Sequence, residues 1–339
     1  MPQYEYANAR LRAMKSRMLP RAGLVALAEV KSLESLLAAL ERTPYCQALA
    51  AAQGRGRERL HATLCRDLSD TLVLVQRLFG REEWELASVF SRPFDIGNLK
   101  AVLRGLATGT RPEKIAKALL PVGELEASVL DELSRLPSLR AAVERLAALR
   151  LPPAAPLIAL HREQPGASLA EMELALERWH HERARRYLLR AEDGVQTLTA
   201  ALDLEADLAN LVALLRSLAV RERRPLGQRQ LVGPGRLPFE LLERVSRQAT
   251  LPEAVSLFKD SPYGPALAAG RLSDIERQLR LLRLRWLAAL ITRDPLGIGV
   301  LLGYLALKTS EVRNLRWIVE GVGLGLPPAA IGEELEMAA

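Results

Sequence analysis

The feature that most restricts what this chain can fold into is a segment that recurs three times. Asp95, Asn98, Leu99, Leu103 and Arg104 spell D-x-x-N-L-x-x-x-L-R, and Asp207, Asn210, Leu211, Leu215 and Arg216 spell it again 112 residues later. Glu311, Asn314 and Leu315 open a third version 104 residues further on, with Glu320 in place of the arginine. The first and third versions match beyond the motif. Gly105, Gly109, Pro112 and Ile115 align with Gly321, Gly325, Pro328 and Ile331 at an offset of 216, and Thr43-Pro44-Tyr45 aligns with Ser261-Pro262-Tyr263 at 218. A period near one third of 339 residues is too long for tetratricopeptide, ankyrin or HEAT repeats and long enough for a small domain. The expected organisation is three related domains, at about 1–121, 122–230 and 231–339, with the termini free to pack together. Three such domains can close around a pseudo-threefold axis and leave a hollow or funnel on it.

Each unit reads as helical. Tyr4, Ala7, Leu11, Met14 and Met18 step by three and four, as do Leu60, Leu64, Leu68, Thr71, Val75 and Phe79. Leu, Ala, Arg and Glu are abundant, Val, Ile and Thr sparse, and no convincing alternating strand appears, so the expected fold is all-α. Ser168 with Glu171 and Ser273 with Glu276 fit capping boxes. Asp294-Pro295 reads as a helix start, and Ser310 as the cap of a helix beginning near Glu311. Gly105, Gly109, Gly321, Gly323 and Gly325 read as stops; Pro152, Pro153, Pro156 and the stretch from Arg224 to Pro238 read as loops.

Several chemistries drop out. No G-x-x-x-x-G-K-[ST] occurs, and Gly321-Val322-Gly323-Leu324-Gly325 follows a helix where a dinucleotide fingerprint needs a strand. Glu177 and His181 share a helix face without a second ligand pair, and His61 with Cys65 lacks the rest of a nucleophilic constellation. Cys46 and Cys65 are too few for a disulfide framework. No apolar run reaches 18 residues without a charge, and the first twenty residues lack the apolar stretch of a signal peptide. Gly299 and Gly303 are better explained by close helix packing than by a membrane span. No catalytic, cofactor or metal site is expected.

The net charge is +7, and the excess sits mainly in residues 1–113, with 17 basic and 12 acidic side chains. A basic surface suits an acidic protein, a phosphate backbone or a membrane headgroup layer. Few aromatics, no nucleic-acid motif and interleaved acids argue against RNA or DNA. On that charge excess, Arg10, Arg12, Lys15 and Arg17 are candidates for a partner-facing surface, against the plainer reading of a solvated helix face. The motif residues Asp95, Asn98, Arg104, Asp207, Asn210, Arg216, Glu311 and Asn314 are read as a structural lock in each unit. Asp95 and Glu311 fall at expected first turns, where acid favours the helix dipole, and each Asn can donate and accept across to a neighbouring backbone. No His, Cys or Lys recurs with them, which argues against repeated catalysis.

The run from Tyr4 to Leu19, the block from Asp95 to Arg104, and Asp294-Pro295-Leu296 through Tyr304, Lys308, Glu311, Asn314-Leu315-Arg316 and Gly321 together resemble one family. It is the family of C subunits of bacterial and archaeal V/A-type ATPases, whose eukaryotic counterpart is the d subunit of the vacuolar ATPase. The resemblance covers essentially the whole chain. It implies a non-enzymatic, all-helical funnel or collar of three similar domains. Such a protein sits on the cytoplasmic face of the membrane as a peripheral component, sockets the central shaft, rests on the proteolipid ring and transmits torque between them. It implies no cofactor, no nucleic acid and a monomeric isolated chain. The competing expectation is a helical scaffold or regulator that binds an acidic protein or RNA.

Overall fold

The structure, a computed structural model, describes residues 4–80, Trp84, 92–120, Gly123, 125–189, 195–219 and 230–338. Residues 224–229 of the expected Pro/Gly-rich loop, and the expected boundary at 121–122, lie outside the described residues. Among the described residues the secondary structure is helical, with eighteen α-helices and no strand, and the chain is all-α. The chain divides into two compact units, one made of Met1–Ala87 with Arg280–Ala339 and the other of Ser88–Leu279.

In the first unit, α1 is Glu5–Lys15, α2 Arg21–Ala28, α3 Leu33–Leu40, α4 Cys46–Ala51 and α5 Gly56–Arg77. Helix α1 buries Ala7 and Leu11, and α5 buries Leu60, Leu64, Leu68, Leu72 and Val75, the stripe expected from a 3.6-residue period. In the second unit, α6 is Arg92–Ala107, α7 Pro112–Ala118, α8 Ala127–Ser134, α9 Leu139–Ala148, α10 Ala154–Glu163 and α11 Leu169–Leu188. These six share one core, in which Leu99, Leu103, Ile115, Leu130, Leu133, Leu146, Leu157 and Leu176 are all buried. Helix α12, Val195–Ala219, is followed by α13 Phe239–Ser246, α14 Leu251–Ser256 and α15 Gly264–Leu267. Helix α16, Leu272–Arg293, runs from the second unit into the first, which is completed by α17 Gly299–Gly323 and α18 Pro328–Glu333.

Several local expectations are met. Ser168 and Glu171 form the full capping box of α11. The turns after α6 and α17 are the same Schellman motif, which explains the repeated glycines. Thr110 N–H donates to Gly105 C=O and Leu326 N–H to Gly321 C=O, with Gly109 and Gly325 at φ 64° and 70°. Gly105 and Gly321 lie inside their helices, not at the ends. A Cβ on either would overlap an isoleucine of the next short helix, Ile115 or Ile331, so the pair is kept by close packing. Gly303 likewise lies against Ile291 and the Leu287 carbonyl.

Other expectations are corrected. Helix α17 begins at Gly299, with Asp294 reaching five residues forward to accept from the Gly299 N–H at 2.9 Å. Ser310 and Glu311 therefore lie mid-helix, and neither caps nor meets a helix dipole; the helix runs through because Ser310 bonds to the Glu336 carbonyl at 2.7 Å. Ser273 falls within α16, one residue past its first, and Glu276 pairs with Arg216. Pro156 is in the first turn of α10, where a missing N–H is harmless. Gly323 is the last residue of α17, and only Gly325 lies in the turn beyond it.

Candidate functional site

The motif carboxylates and asparagines are buried, and the asparagine of each copy makes the same pair of attachments. Asn98 donates its amide to the Leu120 carbonyl at 2.7 Å and accepts from the Leu120 N–H at 2.8 Å. Asn210 donates to the Gly233 carbonyl at 3.0 Å and accepts from the Val232 N–H at 2.8 Å. Asn314 donates to the Glu336 carbonyl at 2.8 Å and accepts from the Glu336 N–H at 2.9 Å. In all three the acceptor bond joins residues 22 apart in sequence. A side-chain amide here does the work of a strand neighbour, satisfying an N–H and a C=O that would otherwise be buried unpaired.

The carboxylates tie down the chain just beyond. Asp95 accepts from the Leu125 N–H at 3.1 Å, and Asp207 from the Arg236 and Leu237 N–H groups at 3.1 and 3.0 Å. A side chain at Gly123 or Gly235 would collide with Asp95 or Asp207, so glycine lets each loop approach its carboxylate. At Glu311 the attached backbone is the Leu19 N–H, just before α2, which donates to it at 2.8 Å. The longer glutamate serves where the attached segment comes from the other end of the sequence.

Two carboxylates also hold a tyrosine. The Tyr263 hydroxyl donates to Asp207 at 2.7 Å, and the Tyr45 hydroxyl donates to Glu311. These are the two tyrosines that the offset of 218 aligns. Around Glu311 lies a buried charge cluster. Lys308 lies 3.0 Å from both Glu311 and the Tyr45 hydroxyl and 2.8 Å from Asp67, and it stacks over the Tyr45 ring at 4.5 Å. Burial and the neighbouring acids push the Tyr45 hydroxyl pKa well up; burial pushes Asp67 up against the pull of Lys308. With its charges paired and its hydroxyls held protonated, the cluster is suited to holding helices together, not to proton transfer.

The arginines of the motif are exposed and tie each motif helix to a long helix of the same unit. Arg104 pairs bidentately with Glu173 at 2.6 and 2.7 Å, joining α6 to α11; Arg216 pairs with Glu276 at 2.6 and 2.8 Å, joining α12 to α16. In the third version the signs are exchanged. Glu320 on α17 meets His61 at 2.6 Å and Arg57 at 3.3 Å on α5. The tie is kept although both ends have changed.

Of the candidate basic run, Arg10, Lys15 and Arg17 are exposed. Arg12 is also exposed, but its guanidinium donates to the Pro295 carbonyl at 2.8 Å and the Ile291 carbonyl at 3.4 Å, fixing α1 against the end of α16. Asn8, one turn earlier, donates to the Gly297 carbonyl at 3.0 Å. Composition gives no warning of either attachment. A cavity of about 340 Å³ in the second unit is lined by Lys100, Glu177, His180, His181 and Glu205 among others. Lys100 is paired with Glu177 there. Burial, helped by Arg185, pushes His181 down to about 4, so it is neutral at physiological pH. Among the described residues no group of three or more His, Cys, Asp or Glu is placed to hold a metal ion. No helix among them is long and apolar enough to cross a membrane.

The family described as ATP synthase (C/AC39) subunit matches residues 7–334, nearly the whole chain. The chain belongs to this family, the C/d subunits of V/A-type ATPases. Its relatives include the C subunits of archaeal A-type ATP synthases. That of Pyrococcus abyssi is 26% identical over 97% of this chain and 89% of its own length. That of Methanocaldococcus jannaschii is 25% identical over 97% and 85%, and that of Methanococcoides burtonii 25% identical over 98% and 94%.

Proposed function

We propose that this chain is the non-catalytic rotor component of a V/A-type ATPase, which sockets the central shaft, rests on the proteolipid ring and carries torque between them. Nearly full-length membership of the C/AC39 family carries the reading. The site chemistry supports it: every motif carboxylate and amide holds backbone, two of the carboxylates hold a tyrosine as well, and the motif arginines and Glu320 join helices. A torque-transmitting part needs stiffness and no reactive group, and dense helix packing with buried locks supplies stiffness.

The three locks also support a threefold repeat closed into a collar around the shaft, with the third repeat assembled from both ends of the chain. The partners are the shaft subunits and the ring; the chain is peripheral, on the cytoplasmic side, and monomeric when isolated. Arg10, Lys15 and Arg17 are its partner-facing cations, and Arg12 positions the helix that carries them. The reading is tested by deleting the chain from the assembled complex. The soluble ATPase sector should then detach from the membrane sector, or hydrolyse ATP without moving ions. A complex that stays assembled and fully coupled overturns it.

A further inference from the structure

The turn between α16 and α17 carries features that the rotor role does not require. Thr292, Arg293, Pro295 and Leu296 are all exposed, and Leu296 is 72% exposed. Arg12, Lys15 and Ser16 on one side, with Ile291, Thr292 and Pro295 on the other, line an open crevice of about 560 Å³ beside it. Lys15 lines it, the exposed Arg293 follows the lining Thr292 in sequence, and Tyr6, 68% exposed, lies on the same α1. At the end of α11 in the second unit, Leu189 is 85% exposed and follows the exposed Arg186.

We propose that the 292–297 turn and the adjoining end of α1 form a contact surface for an anionic bilayer, with Lys15 and Arg293 on lipid phosphates and Leu296 entering the headgroup layer. A protein-protein contact is built on a contiguous apolar core with charge at the rim. Here a single leucine stands among cations and a crevice, which is the arrangement of a peripheral lipid contact. Arg12 is not a lipid ligand in this scheme. Its guanidinium is spent on the Pro295 and Ile291 carbonyls, and it holds the turn in position. The inference deepens the rotor reading and rests on it for a bilayer beside the chain.

The experiment is co-sedimentation of the purified full chain with vesicles of phosphatidylcholine alone or with about 30 mol% phosphatidylglycerol, at low and at high salt. Binding to the anionic vesicles, weakened by salt, is expected, and little binding to the neutral ones. Each basic residue near an anionic surface is worth roughly fivefold in partitioning, so Lys15→Glu with Arg293→Glu should weaken binding about 25-fold or more. Leu296→Asp should weaken it severalfold with the melting temperature unchanged. Arg10→Glu with Arg17→Glu, neither of which lines the crevice, reports the general effect of net charge and should cost less than the Lys15 and Arg293 pair. Equal binding to both vesicle types, or an equal loss from the two charge pairs, overturns the proposal. So does binding that the Lys15 and Arg293 pair leaves intact while assembly of the complex fails, which assigns the turn to a protein. Because vesicle binding is read on the chain alone, its failure is separate from the deletion test of the rotor reading.

Discussion

Replacing Tyr263 with phenylalanine tests whether the motif carboxylates work as locks. The change removes one hydroxyl and leaves the ring, so it opens no cavity. What is lost is a 2.7 Å bond to Asp207, a residue with 0% exposure that keeps only its two backbone N–H donors. A hydrogen bond to a charged group contributes about 1.5–3 kcal/mol, so the variant should lose about 2 kcal/mol at pH 7. For a unit of this size that is about 4–8 °C in melting temperature. The pH dependence makes the test sharper. Burial is the largest influence on Asp207 and raises its pKa, and the Tyr263 hydroxyl and backbone amides only partly pull it back. A folded pKa above the unfolded one means that the folded state binds more protons between the two values, so stability falls as pH rises through that window. Removing the hydroxyl lifts the folded pKa further and deepens the fall. Below the unfolded pKa the bond is between neutral groups and is worth about 1 kcal/mol. The cost of Tyr263→Phe should therefore shrink towards about half between pH 7 and pH 3, measured by thermal or urea unfolding followed by circular dichroism. A cost under about 0.5 kcal/mol at pH 7, or one that grows in acid, refutes the lock.

Asn210→Leu should destabilise by about 3 kcal/mol, because it leaves the Val232 N–H and Gly233 C=O buried without partners; hydrogen exchange at Val232 should rise with it. Gly321→Val should cost about 2 kcal/mol by pushing on Ile331, and Ile331→Ala in the same chain should recover part of it, a coupling that a double-mutant melting cycle reads directly. His181, held down to about 4 by burial, makes stability fall as pH drops from about 6.5 to 4, by up to about 3 kcal/mol, whereas above 6.5 the contribution is complete; in His181→Gln that slope should vanish. Glu320 is pulled up by burial but held below its ordinary value overall by the His61 bond and the His61 and Arg57 charges. Its contribution is present above about pH 4.5 and is lost as pH falls through the folded pKa, so Glu320→Gln should flatten the acid limb of the stability profile.

The helical class was legible because it needs only periodicity: the α5 stripe from Leu60 to Val75 is buried as its spacing requires. The asparagines were legible as residues that need a reason, since an asparagine in mid-helix is a poor helix former with a two-sided amide. What it grips was not. Leu120, Val232 and Glu336 share no residue type, because the asparagine bonds to backbone and places no demand on their side chains. Helix starts failed where a side chain with capping chemistry was used at long range. Ser310 bonds to Glu336, Glu276 to Arg216, and Asp294 caps from a distance of five residues. The basic run read as a surface, yet Arg12 is a fastener, because carbonyl acceptors at a helix end are invisible in a string of letters.

The exchange of charge at Glu320 says what the motif arginine is for. Had Arg104 and Arg216 been kept to bind an anionic partner, a glutamate in the third version would abolish the function there. A glutamate that meets His61 and Arg57 preserves the junction between motif helix and long helix, and only the junction. At these positions what is maintained is a tie of fixed reach and not a sign of charge. The arginine of each such pair is about half exposed, and the pair is worth under about 1 kcal/mol alone. The buried asparagines and carboxylates hold the backbone, while the outer pairs resist sliding of one long helix along another. Under the rotor reading that division has a mechanical use: a twisting load would be met first by the junctions between long helices, with the buried locks keeping the loop geometry behind them. The consequence is measurable in one cycle. Glu320→Arg alone sets an arginine against Arg57 and should destabilise, whereas Glu320→Arg with Arg57→Glu and His61→Glu rebuilds the pair in the orientation of Arg104 and Glu173 and should return stability to within about 0.5 kcal/mol of the starting chain. If the triple variant is no more stable than Glu320→Arg, the position reads charge and not linkage, and the tie is refuted.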